Sequence, residues 1–295
     1  PSVCHINEGH AAFLAVERMS HMMKSKGLEM EVAHEVVRRT SVFTTHTPVP
    51  AGNETFNIDL IRPHLDALAR ELDIPTDKII SWGLPLDAHP NHPLSMTVLG
   101  LRMAEYTNGV SRLHGVIARQ MWANLWPGKP VDEVPIRHIT NGVHISSWLS
   151  WDNARLYDRY LGPEWRDDPS SEDVLGRIAH IPDEELWRVH ETNRSRLIRA
   201  AREQGEKQFS MRNASRAQIA EIKNVLHHDA LTIGFARRFA TYKRATLLLR
   251  DKARLEALLT NKDRPVQFIF AGKAHPAADI AKELVRQIIH FSRQA

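Results

Sequence analysis

The sequence has little cysteine and no long apolar run. Its one thiol, Cys4, cannot form a disulfide within the chain, and such sparse use of cysteine is typical of a reducing cytoplasm, where we expect this protein. No apolar stretch approaches the roughly 20 residues that a membrane helix needs. The first ten residues lack the basic and apolar segments of a secretion signal. We therefore expect neither a membrane protein nor a disulfide-rich secreted one.

The excess of positive over negative charge is also small. Lys and Arg number 39 and Asp and Glu 35, which leaves a net charge of +4 over 295 residues. No stripe of basic and aromatic residues runs along the chain, so a nucleic-acid partner is not expected. Hydrophobic residues make up 42%, enough for a folded core. The chain begins with Pro and ends within an apolar pattern, which indicates an interior piece of a longer protein.

Apolar spacing in the first half predicts helices with strands between them. The predicted helices cover residues 8–26, 30–39, 59–72, 93–105 and 113–126, with Gly27 ending the first. The predicted strands cover residues 41–45 and 134–139, and residues 107–111 are predicted to form a turn. A Trp- and Arg-rich stretch follows, in which a long helix begins at Pro182 and ends before Gly205.

The last 70 residues have a different pattern. Two continuous apolar runs, residues 230–236 and 266–271, each lead into a basic turn and a helix, the first from about Tyr242 and the second from about Pro276. This order predicts parallel strands in a sheet covered on both faces. We expect an α/β protein with a first domain at residues 1–145, a mostly helical connection at 146–225 and a second α/β domain at 226–295.

Both basic turns fall at the carboxyl ends of their strands, where such sheets bind ligands. Arg237, Arg238, Lys243 and Arg244 gather at the first, beside a predicted helix N-terminus that itself attracts anions. Gly272-Lys273 occupies the second, and glycine permits a close backbone approach. The pattern favours a phosphate site over a solvated basic turn. It matches neither a Walker loop nor a dinucleotide fingerprint.

Other candidate sites are weaker. Asp87, His89 and His92 have ligand-like spacing, but they lie in a Pro-rich loop without a fourth partner, so no metal is expected. Cys4 and His5 are adjacent on an extended segment and would point to opposite faces, which disfavours a nucleophile pair. His46 and Asn141 are polar residues at turns, and the pattern leaves open whether they are structural or contact a ligand.

Six ordered motifs carry a family resemblance. They are CHINEGHAAF (4–13), TTHTPVPAG (44–52), NGVSRLH (108–114), ITNGVH (139–144), FARRFATYKR (235–244) and FAGKAHP (270–276). Together they resemble the α-glucan (glycogen/maltodextrin) phosphorylases, particularly the shorter bacterial and archaeal branch. The resemblance covers nearly the whole chain, apart from the helical stretch around residues 151–224.

The resemblance implies a glycosyltransferase-B fold, part of two Rossmann-like domains with a helical connection. It implies cleavage of terminal α-1,4-glucosyl units by inorganic phosphate, which yields α-glucose 1-phosphate with retention. Pyridoxal phosphate is the implied cofactor. It is held as a Schiff base and relays a proton through its 5′-phosphate. The attachment lysine is expected beyond Ala295, so this piece alone should be inactive. The implied partners are α-glucan and phosphate, and homo-oligomerisation stays open.

Residue roles also follow from the motifs. The resemblance assigns phosphate and cofactor contacts to one set: Arg238 on the substrate phosphate, Arg237 and Lys243 on the cofactor or substrate phosphate, and Gly272 and Lys273 on the phosphate-side wall. It assigns sugar contacts to a second set: Tyr242, the His46 backbone carbonyl at the 6-hydroxyl, the Asn141 amide, and Glu8 and His10 near the anomeric side. His114 is expected to be structural.

Two motifs depart from those of the longer phosphorylases, and two other functional readings stay open. Long phosphorylases have Lys at position 237 and Asn-Asp-Thr-His where this chain has Asn7-Glu8-Gly9-His10, and the change from Lys to Arg alters contact geometry. A nucleotide-sugar glycosyltransferase of the same fold, such as a glycogen synthase, would also place cations on phosphates. A glucan-binding protein without catalysis is the third reading. Dependence on inorganic phosphate separates the first reading from the second.

Overall fold

The computed structural model describes residues 2–49, 53–86, 88–89, 92–276 and 278–293. The chain divides into two compact units, Pro1–Val143 and His144–Ala295. Both combine helices with parallel strands, which confirms the mixed α/β class. In the part of the chain that the structure describes, no helix is long and apolar enough to cross a membrane.

The first unit is built on a four-stranded parallel sheet, and a separate pair of strands is antiparallel. In chain order the strands are β1 (Cys4–Asn7), β2 (Ser41–Thr45), β3 (Thr55–Phe56), β4 (Leu94–Ser95), β5 (Tyr106–Gly109) and β6 (Ile136–His138). The parallel sheet has the order β1–β2–β5–β6, and β3 pairs with β4. Its helices are α1 (Phe13–Lys26), α2 (Met30–Arg39), α3 (Ile58–Leu72), α4 (Thr76–Trp82), α5 (Met96–Arg102) and α6 (Arg112–Trp122). Ile6, Phe43 and Ile136 are fully buried on β1, β2 and β6 and join the helices in one apolar core.

Several predicted elements of this unit are confirmed. The bounds of α2 and β2 match the prediction, and Gly27 ends α1 in the left-handed conformation, with φ 65°. The predicted helix over residues 8–26 instead begins with a 3₁₀ turn at Gly9–Ala11. The one over 93–105 begins with β4.

The predicted turn over residues 107–111 is wrong. Thr107, Asn108 and Gly109 belong to β5, where they pair with β2 on one side and β6 on the other. Turn-forming residues are extended here because pairing on both sides outweighs local preference. Ser111 follows the strand and caps α6, accepting a hydrogen bond from the His114 amide.

The second unit is mainly helical before its two strands. Its helices are α7 (Ile145–Trp148), α8 (Trp151–Tyr160), α9 (Glu172–Arg177), α10 (Asp183–Met211), α11 (Arg216–Ile222), α12 (Lys252–Leu259) and α13 (Asp279–Ser292). The predicted end of the long helix before Gly205 is wrong, because α10 continues to Met211. A Cβ at Gly205 would lie 2.8 Å from the Cγ2 of Ile222, so this glycine makes room for α11.

Strands β7 (Leu231–Ala236) and β8 (Val266–Ala271) are parallel, as predicted. Their predicted cover on both faces is absent from the described residues. Leu231 is 55% exposed and Ile233 is 41% exposed. A smaller apolar cluster around Phe239, Ala245 and Ala281 packs beyond the strand ends.

The predicted helix from Tyr242 is also wrong. Thr241–Lys243 form a three-residue 3₁₀ turn, and Arg244 then adopts φ 58° and ψ 40°. A left-handed residue cannot continue a right-handed helix, so the chain makes a second 3₁₀ turn at Leu247–Arg250 before α12 begins at Lys252.

Candidate functional site

The carboxyl ends of the four parallel strands in the first unit place predicted residues on one sheet edge. Glu8 follows β1, His46 follows β2 and Asn141 lies shortly after β6. The Asn141 amide donates to the Val110 carbonyl at 3.1 Å, which ties the segment after β6 to the end of β5. Both His46 and Asn141 are exposed. This edge is where an α/β sheet binds a ligand.

Glu8 and His46 are in direct contact. Oε2 of Glu8 accepts hydrogen bonds from the His46 amide at 2.7 Å, the Thr47 amide at 3.0 Å and the Thr47 hydroxyl at 3.0 Å. Oε1 of Glu8 is buried and has no hydrogen-bond partner among the residues described. Glu8 has φ 71° and ψ 168°, a region that is essentially restricted to glycine. Such strain persists only where surrounding contacts hold it, and it is typical of functional sites.

His46 and His10 differ in how they are held. The Nε2 of His46 lies within hydrogen-bond distance of the Asn7 side-chain oxygen, so the ring is anchored while its edge stays exposed. His10 lies on the 3₁₀ turn after Glu8. It is exposed and makes no side-chain hydrogen bond to another described residue.

A polar network that sequence reasoning missed crosses the central strands below this edge. Thr44 donates to the side-chain oxygen of Asn108 at 2.9 Å, and Nε2 of His5 lies 2.7 Å from the Thr44 hydroxyl. Asn108 in turn donates to the Gly109 carbonyl at 3.1 Å. Because the Thr44 proton is already committed to Asn108, His5 donates to Thr44. The signal in the sequence was the pair of polar residues, Thr44 and Asn108, each one position before the last residue of its strand.

His114 is buried beside the end of β5. Its Nδ1 accepts a hydrogen bond from the Val110 amide at 3.1 Å, while Nε2 is buried without a partner among the described residues. Val110 is therefore held at both its amide and its carbonyl, the latter by Asn141. This arrangement agrees with the structural role expected for His114.

In the second unit, the carboxyl ends of β7 and β8 carry a group of cations. Arg237, Arg238 and Lys273 are exposed, while Lys243 is half-buried with its ammonium 4.6 Å from the ring centre of Tyr242. None of these four cations forms an ion pair with a carboxylate in the described ranges. Unpaired positive charges held at one edge suit a phosphate dianion.

The two basic segments are joined along their main chains. The Arg237 amide donates to the Ala271 carbonyl at 3.1 Å, and the Phe239 amide donates to the Lys273 carbonyl at 2.9 Å. Gly272 lies between these bonds, and a Cβ there would overlap the Arg237 carbonyl oxygen. The close backbone approach expected of Gly272 is therefore made to Arg237.

The anion-attracting helix N-terminus predicted beside these cations is absent. The segment that carries Tyr242 and Lys243 is a single 3₁₀ turn, too short to sum peptide dipoles. Attraction of a phosphate at this edge must come from the Arg and Lys side chains and nearby amides.

The candidate metal ligands Asp87, His89 and His92 can be compared with the structure only in part. Asp87 lies outside the described residues. Within the described ranges, no three His, Cys, Asp or Glu side chains gather closely enough to hold a metal ion.

The chain is similar to known proteins along almost its whole length. A family model described as carbohydrate phosphorylase matches residues 2–294. The chain is 42% identical over 293 residues to the maltodextrin phosphorylase of Thermococcus litoralis, covering 99% of this chain and 34% of the relative. It is 39% identical over 298 residues to a glycogen phosphorylase of Mycobacterium bovis, with the same coverage of 99% and 34%. It is 36% identical over 290 residues to that of Aquifex aeolicus, covering 98% and 41%. The chain thus spans little more than a third of the length of these curated relatives.

Proposed function

The chain belongs to the carbohydrate phosphorylase family, and we propose that the whole protein is an α-glucan phosphorylase. It would transfer terminal α-1,4-glucosyl units to inorganic phosphate and release α-glucose 1-phosphate with retention. The observation that carries this proposal is the group of cations without carboxylate partners, among the described residues, at the ends of β7 and β8. The two strand ends are held close together there, because Gly272 lies against the Arg237 carbonyl oxygen. Such a site binds phosphate without first breaking ion pairs.

Arg238 is proposed as the main ligand of the substrate phosphate. Its main chain lies between the two hydrogen bonds that join the basic segments, so the base of the side chain is fixed. An arginine presents parallel N–H donors that match two phosphate oxygens, and this geometry strengthens binding as negative charge develops there.

Pyridoxal phosphate is the cofactor that we propose for the same edge. The residues fit its phosphate group, because Arg237, Lys243 and Lys273 are free of carboxylate partners in the described structure and Gly272 adds no side chain. When bound, the cofactor would supply a proton to the substrate phosphate through its own phosphate. The cations would offset the repulsion between two neighbouring dianions.

Sugar contacts are proposed for single residues, on the motifs that carry the family resemblance, and Tyr242 is one of them. The His46 carbonyl would accept from the glucosyl 6-hydroxyl, and the Asn141 amide would bind the same sugar. Glu8 and His10 remain proposed pocket residues on the anomeric side. We also propose that the chain contains parts of two Rossmann-like domains, at residues 1–145 and 226–295, joined by a mostly helical connection at residues 146–225. The cytoplasmic location stays a prediction.

The test uses the full-length protein with maltodextrin and inorganic phosphate, and it measures glucose 1-phosphate. We expect phosphate-dependent release that Arg238→Ala reduces at least about a hundredfold, because a charge-assisted contact in the transition state is lost. The matched control is Arg264→Ala, since Arg264 is exposed but precedes β8 at the opposite end of the strand.

Failure has a defined meaning. A folded protein loaded with pyridoxal phosphate that releases no glucose 1-phosphate would overturn the proposal. Transfer from a nucleotide-sugar donor without phosphate would then favour the glycogen synthase-like alternative, and binding of maltodextrin without any turnover would favour a glucan-binding protein.

A further inference from the structure

We propose that Phe239 is a positioning residue that holds the segment Arg237-Arg238 at the phosphate edge of the second unit. This inference rests on the proposed function, which gives the two arginines their task at a phosphate. It assigns Phe239 a role that acts through packing and through the main chain, and not through contact with a ligand.

The pairing of β7 with β8 is interrupted where the proposed phosphate ligands lie. Regular parallel pairing ends at Ala236 and Ala271, and one further parallel bridge joins Phe239 to Ala274 in the same register. Two residues of each segment lie in this interruption, namely Arg237-Arg238 and Gly272-Lys273. The strand pair therefore holds the interruption from both sides, and Phe239 forms its far side.

The ring of Phe239 anchors that far side. Phe239 is only 7% exposed, although its neighbour Arg238 is exposed. The ring lies against that of Phe235, with centroids 6.0 Å apart, and belongs to the apolar cluster with Ala245 and Ala281. Burial of a large aromatic side chain opposes any movement that would return it to water. An isolated bridge is weak by itself, so packing of this ring is what keeps the bridge closed.

The main chain carries this anchoring to Arg238. The Phe239 amide donates to the Lys273 carbonyl at 2.9 Å, and it belongs to the same planar peptide group as the Arg238 carbonyl. Successive side chains of an extended segment point to opposite faces, so a buried ring at position 239 directs the Arg238 side chain to the exposed face. The ring also lies against Gly272, since a Cβ there would come within 3.1 Å of its Cε2.

The cations of this edge need an anchor because they repel one another. Arg237, Arg238 and Lys273 carry like charges and have no carboxylate partner within the described ranges. A buried ring that fixes the main chain opposes the spreading of these charges before a phosphate binds. Donors that are already in place cost less ordering on binding. Loss of the ring should therefore weaken phosphate binding in particular.

The experiment measures two Michaelis constants, for inorganic phosphate and for maltodextrin, with the full-length enzyme and excess pyridoxal phosphate. We expect Phe239→Ala to raise the KM for phosphate about tenfold, because a small displacement of a charged donor weakens its contact strongly. The KM for maltodextrin should stay within about twofold of the wild-type value. Phe239→Leu keeps an apolar side chain of intermediate size, and we expect a rise of about threefold in the KM for phosphate.

Leu255→Ala is the matched control. Leu255 is 6% exposed on α12 in the same unit and does not belong to the cluster that contains Phe239. Its truncation also removes a buried apolar side chain and lowers stability, but it leaves the interruption intact. We expect both Michaelis constants of this variant to stay within about twofold of wild type. A purely structural role of Phe239 predicts the same result for both alanine variants.

A second readout follows phosphate binding without turnover. A ligand that binds only the folded protein raises its thermal midpoint, and the concentration needed for a fixed rise reports its affinity. We expect Phe239→Ala to need about ten times more inorganic phosphate than wild type for the same rise. Leu255→Ala should need the wild-type concentration.

The outcomes separate the inference from the proposed function. A wild-type KM for phosphate in Phe239→Ala, or equal rises in the KM for phosphate and for maltodextrin, would overturn the inference. If Phe239→Ala does not fold, a wild-type KM for phosphate in Phe239→Leu overturns it instead. A wild-type enzyme without phosphate-dependent release of glucose 1-phosphate removes the proposed function, and the thermal readout then still decides whether Phe239 supports phosphate binding.

Discussion

Position 272 must lack a side chain because the Arg237 carbonyl oxygen occupies the space that a Cβ would need. The contact joins the ends of two parallel strands, and hydrogen bonds from Arg237 and Phe239 to Ala271 and Lys273 lie on either side of it. The spacing of the proposed phosphate ligands therefore depends on a main-chain contact as well as on the charged side chains.

Replacement of this glycine tests that dependence. We expect Gly272→Ala to lower glucose 1-phosphate formation at least tenfold and to lower the free energy of unfolding by about 1–3 kcal/mol, because a methyl group is forced into an occupied space. Gly234→Ala is the matched control, since a Cβ at Gly234 in β7 meets open space. Activity assays and urea unfolding provide the two readouts. Equal behaviour of the two variants would contradict the steric explanation.

The ring of Tyr242 supports the ammonium of Lys243, which lies 4.6 Å from the ring centre. We expect Tyr242→Leu to raise the KM for phosphate roughly two- to fivefold, the range of a cation–π contact near the surface. Tyr242→Phe keeps the ring and should leave that KM unchanged, while any effect on the KM for maltodextrin reports on the hydroxyl. A larger phosphate effect in the Phe variant than in the Leu variant would show that the ring does not support Lys243.

The bond between His114 and Val110 should be visible in stability. His114→Leu leaves the partly buried Val110 amide without its acceptor, and we expect a loss of about 1 kcal/mol in the free energy of unfolding. His114→Asn can place an oxygen near the position of Nδ1 and should lose less. Urea unfolding of both variants measures the difference. Equal losses in the two variants would indicate that the ring of His114 stabilises the protein by packing, and not by accepting the hydrogen bond from Val110.

His34 makes the stability of the first unit depend on pH. Its ring stacks on Trp82 with centroids 5.5 Å apart. Its pKa lies below the ordinary value of 6.5 because burial disfavours the imidazolium, and Arg38 and then Lys78 add to this effect while Glu35 opposes it. The unfolded chain therefore takes up this proton more readily than the folded chain, so stability falls as the pH drops below that ordinary value.

The expected result is a lower thermal midpoint at about pH 5.5 than at about pH 7.5, with a smaller drop in His34→Phe. Phenylalanine preserves a ring against Trp82 but cannot be protonated. Circular dichroism at the two pH values measures the four midpoints. An equal drop in both proteins would mean that His34 contributes nothing to the acid sensitivity.

Local sequence was sufficient for elements whose own residues decide them. The bounds of α2 and β2, and the end of α1 at Gly27, follow from apolar spacing and from the left-handed conformation that glycine accepts. The parallel pairing of β7 and β8 followed from two apolar runs separated by a helical segment. The positions of His46, Arg237 and Gly272 after strand ends were accessible for the same reason, whereas Glu8 was predicted to begin a helix and instead follows β1.

Two of the wrong predictions share one physical cause. Residues 107–111 look like a turn, but neighbours on both sides hold β5 extended. Gly205 looks like a helix end, but it lies inside α10, where Ile222 of α11 packs against it. In each case, contacts between segments distant in the chain outweigh a local preference of about 1 kcal/mol.

The sequence by itself thus determined the α/β class, the strands β2, β6, β7 and β8, several helices, and the strand ends at which the proposed ligand-binding residues collect, because these depend on local periodicity. Only the tertiary structure decided which of those residues touch. The Glu8 carboxylate reaches the His46 and Thr47 amides across 38 and 39 positions, and Gly272 meets Arg237 across the strand pair. Such contacts depend on strand register and backbone direction, which are set by packing of the whole sheet.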